Sequence, residues 1–105
     1  MSLFGYLYIM EKPFKKLLKR MLSEKYPIYL DVEVNHYDNK ITWSCYEVHL
    51  FIFSKDYRKL SREQIDEVDK YINNLAKYMG IKVCGVYYTI VDEEGWEEMK
   101  LFIKD

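Results

Sequence analysis

Several things are scarce in this chain of 105 residues, and each scarcity removes a class of protein. It has two cysteines, Cys45 and Cys84, with no Cys-x-x-Cys spacing, so neither a multi-bridge scaffold nor a thiolate zinc site is indicated. Both read as small packed residues in a reducing compartment. The four glycines, Gly5, Gly80, Gly85 and Gly95, are scattered and fit no phosphate-binding fingerprint. Neither Gly-x-Ser-x-Gly nor His-Glu-x-x-His occurs, and no cofactor is indicated. No apolar run approaches the ~20 residues that span a bilayer, and residues 1–10 lack the charged start and cleavage site of a signal peptide. The expected location is cytoplasmic.

What is abundant is aromatic and charged. Eleven tyrosines stand against five phenylalanines and two tryptophans, and tyrosine, with an apolar body and a polar tip, suits surfaces that are half buried or shared with a partner. The formal net charge of -1 conceals a polarity. Lys12, Lys15, Lys16, Lys19, Arg20 and Lys25 crowd one early segment, and Asp92, Glu93, Glu94, Glu97 and Glu98 crowd a late one. Opposed patches of this kind steer self-association as readily as they attract a different partner.

A chain of this length and composition forms one ordered domain, residues 1–105. Residues 3–10 are almost all apolar without helical spacing and read as a strand buried on both faces. Pro13 then opens a helix whose stripe is Phe14, Leu17, Leu18, Met21 and Leu22, ending before Pro27. Ile28, Leu30, Val32 and Val34 alternate with polar partners as a half-buried strand, and residues 37–40 form the turn. A two-residue Asp-Asn loop would set the apolar row of this strand beside the polar row of the next, so the loop must be odd-numbered, with Asn39 in the left-handed position.

Residues 42–53 are the central strand. Tyr46, Val48, Leu50 and Ile52 form its core row, and Trp43, Cys45, Glu47, His49, Phe51 and Phe53 its outer row. The second helix has the clearest signals: Ser61 and Gln64 as a capping box, Leu60 and Ile65 as a hydrophobic staple, Gly80 as the stop, and a stripe of Ile65, Val68, Ile72, Leu75 and Met79. A strand over 81–91, an acidic turn at 92–95 and a returning strand over 96–104 complete the reading. A shift of 51 residues lays residues 47–52 on residues 98–103, the signature of two αββ repeats. The expected class is therefore α+β, a two-layer sandwich with two helices on one face of a four- or five-stranded, mainly antiparallel sheet. Its order is either ferredoxin-like, β-α-β-β-α-β-β, or that of the two repeats. In the ferredoxin-like order the strands carrying Cys45 and Cys84 are not neighbours, and a bridge between them would refute it.

Three functions suit these residues. Exposed aromatics on a sheet mark contact sites, so Tyr6, Tyr8, Tyr29, Trp43, His49, Phe51 and Phe53 form the candidate interface of a homodimer joined by its sheet face or a strand edge, a non-enzymatic accessory protein acting on protein partners. The size and the missing motifs would suit an accessory protein of a phage, virus or other mobile element. The same face could stack single-stranded bases, although Asp31, Glu33 and Glu47 would repel phosphates. Lys12, Lys15, Lys16, Lys19 and Arg20 could instead follow a nucleic-acid backbone. Third, Asp31, Glu47 and His49 supply the donor types of a metal-dependent nuclease.

Overall fold

The structure, a computed structural model, describes the backbone of residues 3–39 and 43–102 and the side chains of residues 11–36 and 45–102. The element order is α1 (Leu3–Lys25), β1 (Asp31–Asn39), β2 (Trp43–Phe53), α2 (Ser54–Tyr57), α3 (Arg62–Tyr78), β3 (Val83–Val91) and α4 (Glu93–Met99). The class is α+β, with three strands in the order β1-β2-β3 among the described residues. β1 lies antiparallel to β2, and β3 lies parallel to it.

Two expected strands are corrected. Residues 3–10 are the opening turns of α1, which continues through Pro13 to Lys25. A short apolar run has no period that separates a strand from a buried helix segment, and the proline costs the helix ladder one bond without ending it. The returning strand over 96–104 is not found among the described residues either, since 93–99 form α4 and 100–102 a turn. Asp92 caps α4 by accepting a hydrogen bond from Gly95 N–H at 2.6 Å, and Glu93 and Glu94 occupy the first turn, where the helix dipole favours anions. Residues 103–105, the end of the expected strand, lie outside the described residues. With a helix where the second hairpin should close, the described residues do not form two αββ units.

The hairpin register follows the expected logic. Val32 faces Leu50, Val34 faces Val48 and Asn39 faces Trp43, which leaves an odd loop of 40–42. β1 runs through the expected turn to Asn39, and no non-glycine residue with positive φ occurs among the described residues, so Asn39 is not left-handed. The turn itself, 40–42, lies outside the described residues.

On the inner face Tyr46, Val48, Leu50 and Ile52 are fully buried against Phe14, Leu18 and Leu22 of α1 and Val68, Ile72 and Ala76 of α3. Two helices therefore cover one face, as expected. At ~1.5–3 kcal/mol for each fully buried large apolar side chain, this cluster supplies most of the drive for folding. The ends of α3 match the sequence signals. Ser61 Oγ accepts from Gln64 N–H at 3.1 Å while Gln64 Oε1 accepts from Ser61 N–H at 2.8 Å. At the other end Gly80, at φ 72°, turns the chain as Ile81 N–H bonds Ala76 C=O and Gly80 N–H bonds Lys77 C=O.

The parallel β2–β3 pairing corrects the ferredoxin-like order. Cys45 and Cys84 form a disulfide across these neighbouring strands, with Cα atoms 5.6 Å apart. A shift between Tyr46 and Glu47 explains how: Tyr46 pairs with Val83 and Glu47 with Gly85, so Cys84 is an extra residue in β3. Such a bulge re-aims a side chain, and here the bulged residue meets Cys45.

Candidate functional site

Alternation along β2 puts Cys45, Glu47, His49, Phe51 and Phe53 on the outer face, and the register brings partners to each. β1 sets Asp31 opposite Phe51 and Glu33 opposite His49. β3 sets Gly85 beside Glu47, Tyr87 beside His49, Thr89 beside Phe51 and Val91 beside Phe53.

The chain itself uses much of this face. Trp96 of α4 lies against Phe51, ring centroids 6.3 Å apart, and Phe51 is only 8% exposed. His49 stacks on Tyr87 at 5.3 Å and its Nε2 lies 3.2 Å from a Glu47 oxygen. Lys55 holds its ammonium 5.6 Å from the Phe53 ring centre and 3.3 Å from Glu93 of α4. The aromatic row expected to await a partner is thus closed at Phe51 by α4, an element that reads as a strand in the sequence.

The remaining expected face residues divide. Tyr29 is not on the outer face. It is buried in the inner core, ring to ring with Tyr26 at 6.4 Å and Tyr88 at 6.0 Å, and its hydroxyl shares a 3.2 Å hydrogen bond with that of Tyr88. Burial, reinforced by the bond to Tyr88, pushes the Tyr29 phenol far above its ordinary value, and burial also raises Tyr88. Tyr6 and Tyr8 belong to α1 and Trp43 to β2, and their side chains lie outside the described residues. His36, near the end of β1, is half buried rather than solvated, with its ring 5.1 Å from that of Tyr46.

The basic segment is largely engaged within the chain. Lys15 donates to both Glu33 oxygens at 3.0 and 3.1 Å, and Lys19 lies 3.3 Å from the buried Asp31 carboxylate, which also accepts from Val32 N–H at 2.8 Å. These two lysines, one helical turn apart, reach from α1 round the β1 edge. Arg20 pairs with Glu24 at 3.5 Å, and Lys25 stands 4.6 Å from the centre of the Tyr71 ring. Lys12 and Lys16 are exposed.

Asp31, Glu47 and His49 do not assemble a metal site. Lys19 engages Asp31 and Glu47 turns to His49, and among the described residues no three His, Cys, Asp or Glu side chains are grouped to hold an ion. A small groove between α1 and the start of β1, lined by Lys19, Leu22, Ser23, Tyr29 and Asp31, adds no catalytic group.

Sequence reasoning missed the Cys45–Cys84 bridge and the Phe51–Trp96 contact. The available signal for the first was the match of two β-rich runs around Val48 and Val86, long enough to pair side by side. For the second it was Asp92 three residues before Gly95, a helix cap as easily as a turn. The chain matches no protein-family model, and no curated protein resembles it in sequence.

Proposed function

We propose that this is a small non-enzymatic binding protein that works through protein–protein contacts, with a second copy of itself as its first partner. The observation that carries this reading is where large apolar side chains are left in water. Tyr87 and Ile90 on β3 are each 47% exposed, and Leu101 and Phe102, after α4, are 79% and 81% exposed. Exposed large apolar side chains mark contact sites, and these four border the β3 edge from both sheet faces and from beyond α4, with Tyr78 of α3, 88% exposed, a separate one.

The rival readings have less support. Backbone binding to nucleic acid needs unengaged cations, and Lys15, Lys19 and Arg20 are each paired with a carboxylate of this chain. A hydrolytic metal centre needs converging donors, and Asp31 is held by Lys19 while only Glu47 meets His49. No described helix is long and apolar enough to cross a membrane. A cytoplasmic location is expected of unpaired cysteines, whereas a bridge suits an oxidising setting.

Light scattering over a wide concentration range tests the proposal. A mass of twice the chain is expected, and a monomer at every concentration would reject it. Titration with single- and double-stranded oligonucleotides at low salt is expected to give no saturable binding. Saturable binding that salt abolishes would move the function to Lys12 and Lys16.

A further inference from the structure

We infer that β3 is the joining edge: it pairs antiparallel with β3 of a second copy about a two-fold axis at Tyr87, fusing two three-stranded sheets into one. The inference rests on the homodimeric reading above and names its surface.

Three observations converge on this edge. First, β3 has a neighbour on one side only among the described residues, and its nine residues, Val-Cys-Gly-Val-Tyr-Tyr-Thr-Ile-Val, include no charge and no proline. Edge strands that stay single normally carry charge, proline or a cover, because their free N–H and C=O groups template pairing.

Second, the side chains clear the edge. Tyr87 folds back over Gly85, where an added Cβ would lie 2.7 Å from the phenol oxygen, and stacks on His49 of β2. α4 turns to the same face, carrying Trp96 onto Phe51.

Third, the strand is complementary to itself. Turned about Tyr87, Gly85 faces Thr89 and Val86 faces Tyr88 of the other copy. The glycine meets a β-branched residue and the valine an aromatic one, and the second of these is a favourable cross-strand pair. The bulge at Cys84 limits the regular ladder to the central part.

Cross-linking combined with mass measurement tests the surface. In an antiparallel pair the residues on the axis have Cα atoms about 4.5–5.5 Å apart, within disulfide reach. Tyr87→Cys is therefore expected to give a covalent dimer under mild oxidation, with peptide mapping placing the link between the two introduced thiols. Tyr78→Cys, at a site 88% exposed on α3, is expected to give none at the same concentration. Ile90→Lys is expected to raise the dimer dissociation constant at least tenfold with an unchanged circular dichroism spectrum, and the cross-link stands independently should that variant not fold. A wild-type dimer that is indifferent to Ile90→Lys, and whose Tyr87→Cys variant forms no link, would overturn this edge while leaving the homodimer in place. A wild-type monomer would overturn both.

Discussion

The two edges of the sheet are finished in opposite ways. β1 is guarded by charge: Asp31 and Glu33 lie along it, and Lys19 and Lys15 come round from α1 to meet them. β3 carries no charge over its length and is fastened from within, by the parallel ladder to β2 and by the Cys45–Cys84 bridge. A strand held by ion pairs on its outer rim is closed to further pairing. A strand held from behind by a covalent bond keeps its rim free. The contrast argues that stability and availability were separated on β3: the bond does the holding, so the rim need not.

Three perturbations can break or sharpen that contrast. The largest effect is expected from Cys45→Ser with Cys84→Ser. The bridge closes a loop across a sequence separation of 39, so removing it should cost about 4 kcal/mol in chain entropy, read as a lower denaturation midpoint. A loss below ~1 kcal/mol would mean that the ladder alone fixes β3. Next comes the β1 edge. Lys19→Met leaves the buried Asp31 carboxylate with one backbone donor and should cost roughly 1–2 kcal/mol, above the range of exposed ion pairs because Asp31 is only 7% exposed. An unchanged midpoint would remove the ion pair from the account of that edge.

The smallest effect concerns the link between the two sides. Tyr29, just before β1, and Tyr88, on β3, join hydroxyls beneath β2. Tyr29→Phe should cost about 1 kcal/mol. Both phenols hold their protons more tightly folded than unfolded, so this stability is complete below the ordinary tyrosine value of 10.0 and is lost as pH rises beyond it. The wild-type midpoint should therefore fall steeply in that alkaline range and that of Tyr29→Phe less steeply. Parallel pH curves would show that the pair contributes no alkaline sensitivity.

What could be read from the sequence was what local physics decides. The capping box at Ser61 and Gln64, the stop at Gly80, the stripe through Val68 and Ile72 and the odd hairpin loop all depend on neighbours a few residues apart, and all are found. The misreadings arose where tertiary context decides. Residues 3–10 are apolar whichever structure they adopt, and the choice of helix turned on continuity with the stripe beginning at Phe14. Asp92 serves a turn or a cap equally, and Trp96 settles the matter by having Phe51 to pack on. Cys84 meets Cys45 only because β3 runs parallel beside β2, a pairing between segments far apart in sequence. The outer row of β2 was legible residue by residue, but the cover over Phe51 was not.

The bridge also gives the chain a shape that its strand order does not convey, a ring with two tails. Residues 45–84 form the ring, which encloses most of β2 with α2 and α3, while α1 and β1 lie on one tail and most of β3 with α4 on the other. Partial opening can therefore proceed from the tails without untying the ring, and the free energies of local opening should be graded accordingly. Amides of α3, whose hydrogen bonds lie within the ring, then exchange last with solvent, whereas those of β2 depend on β1 and β3, which lie on the tails. The strand proposed to meet a second copy is rooted in the ring at Cys84 and held beyond it by the ladder to β2, so its outer rim can pair while the centre of the molecule stays closed.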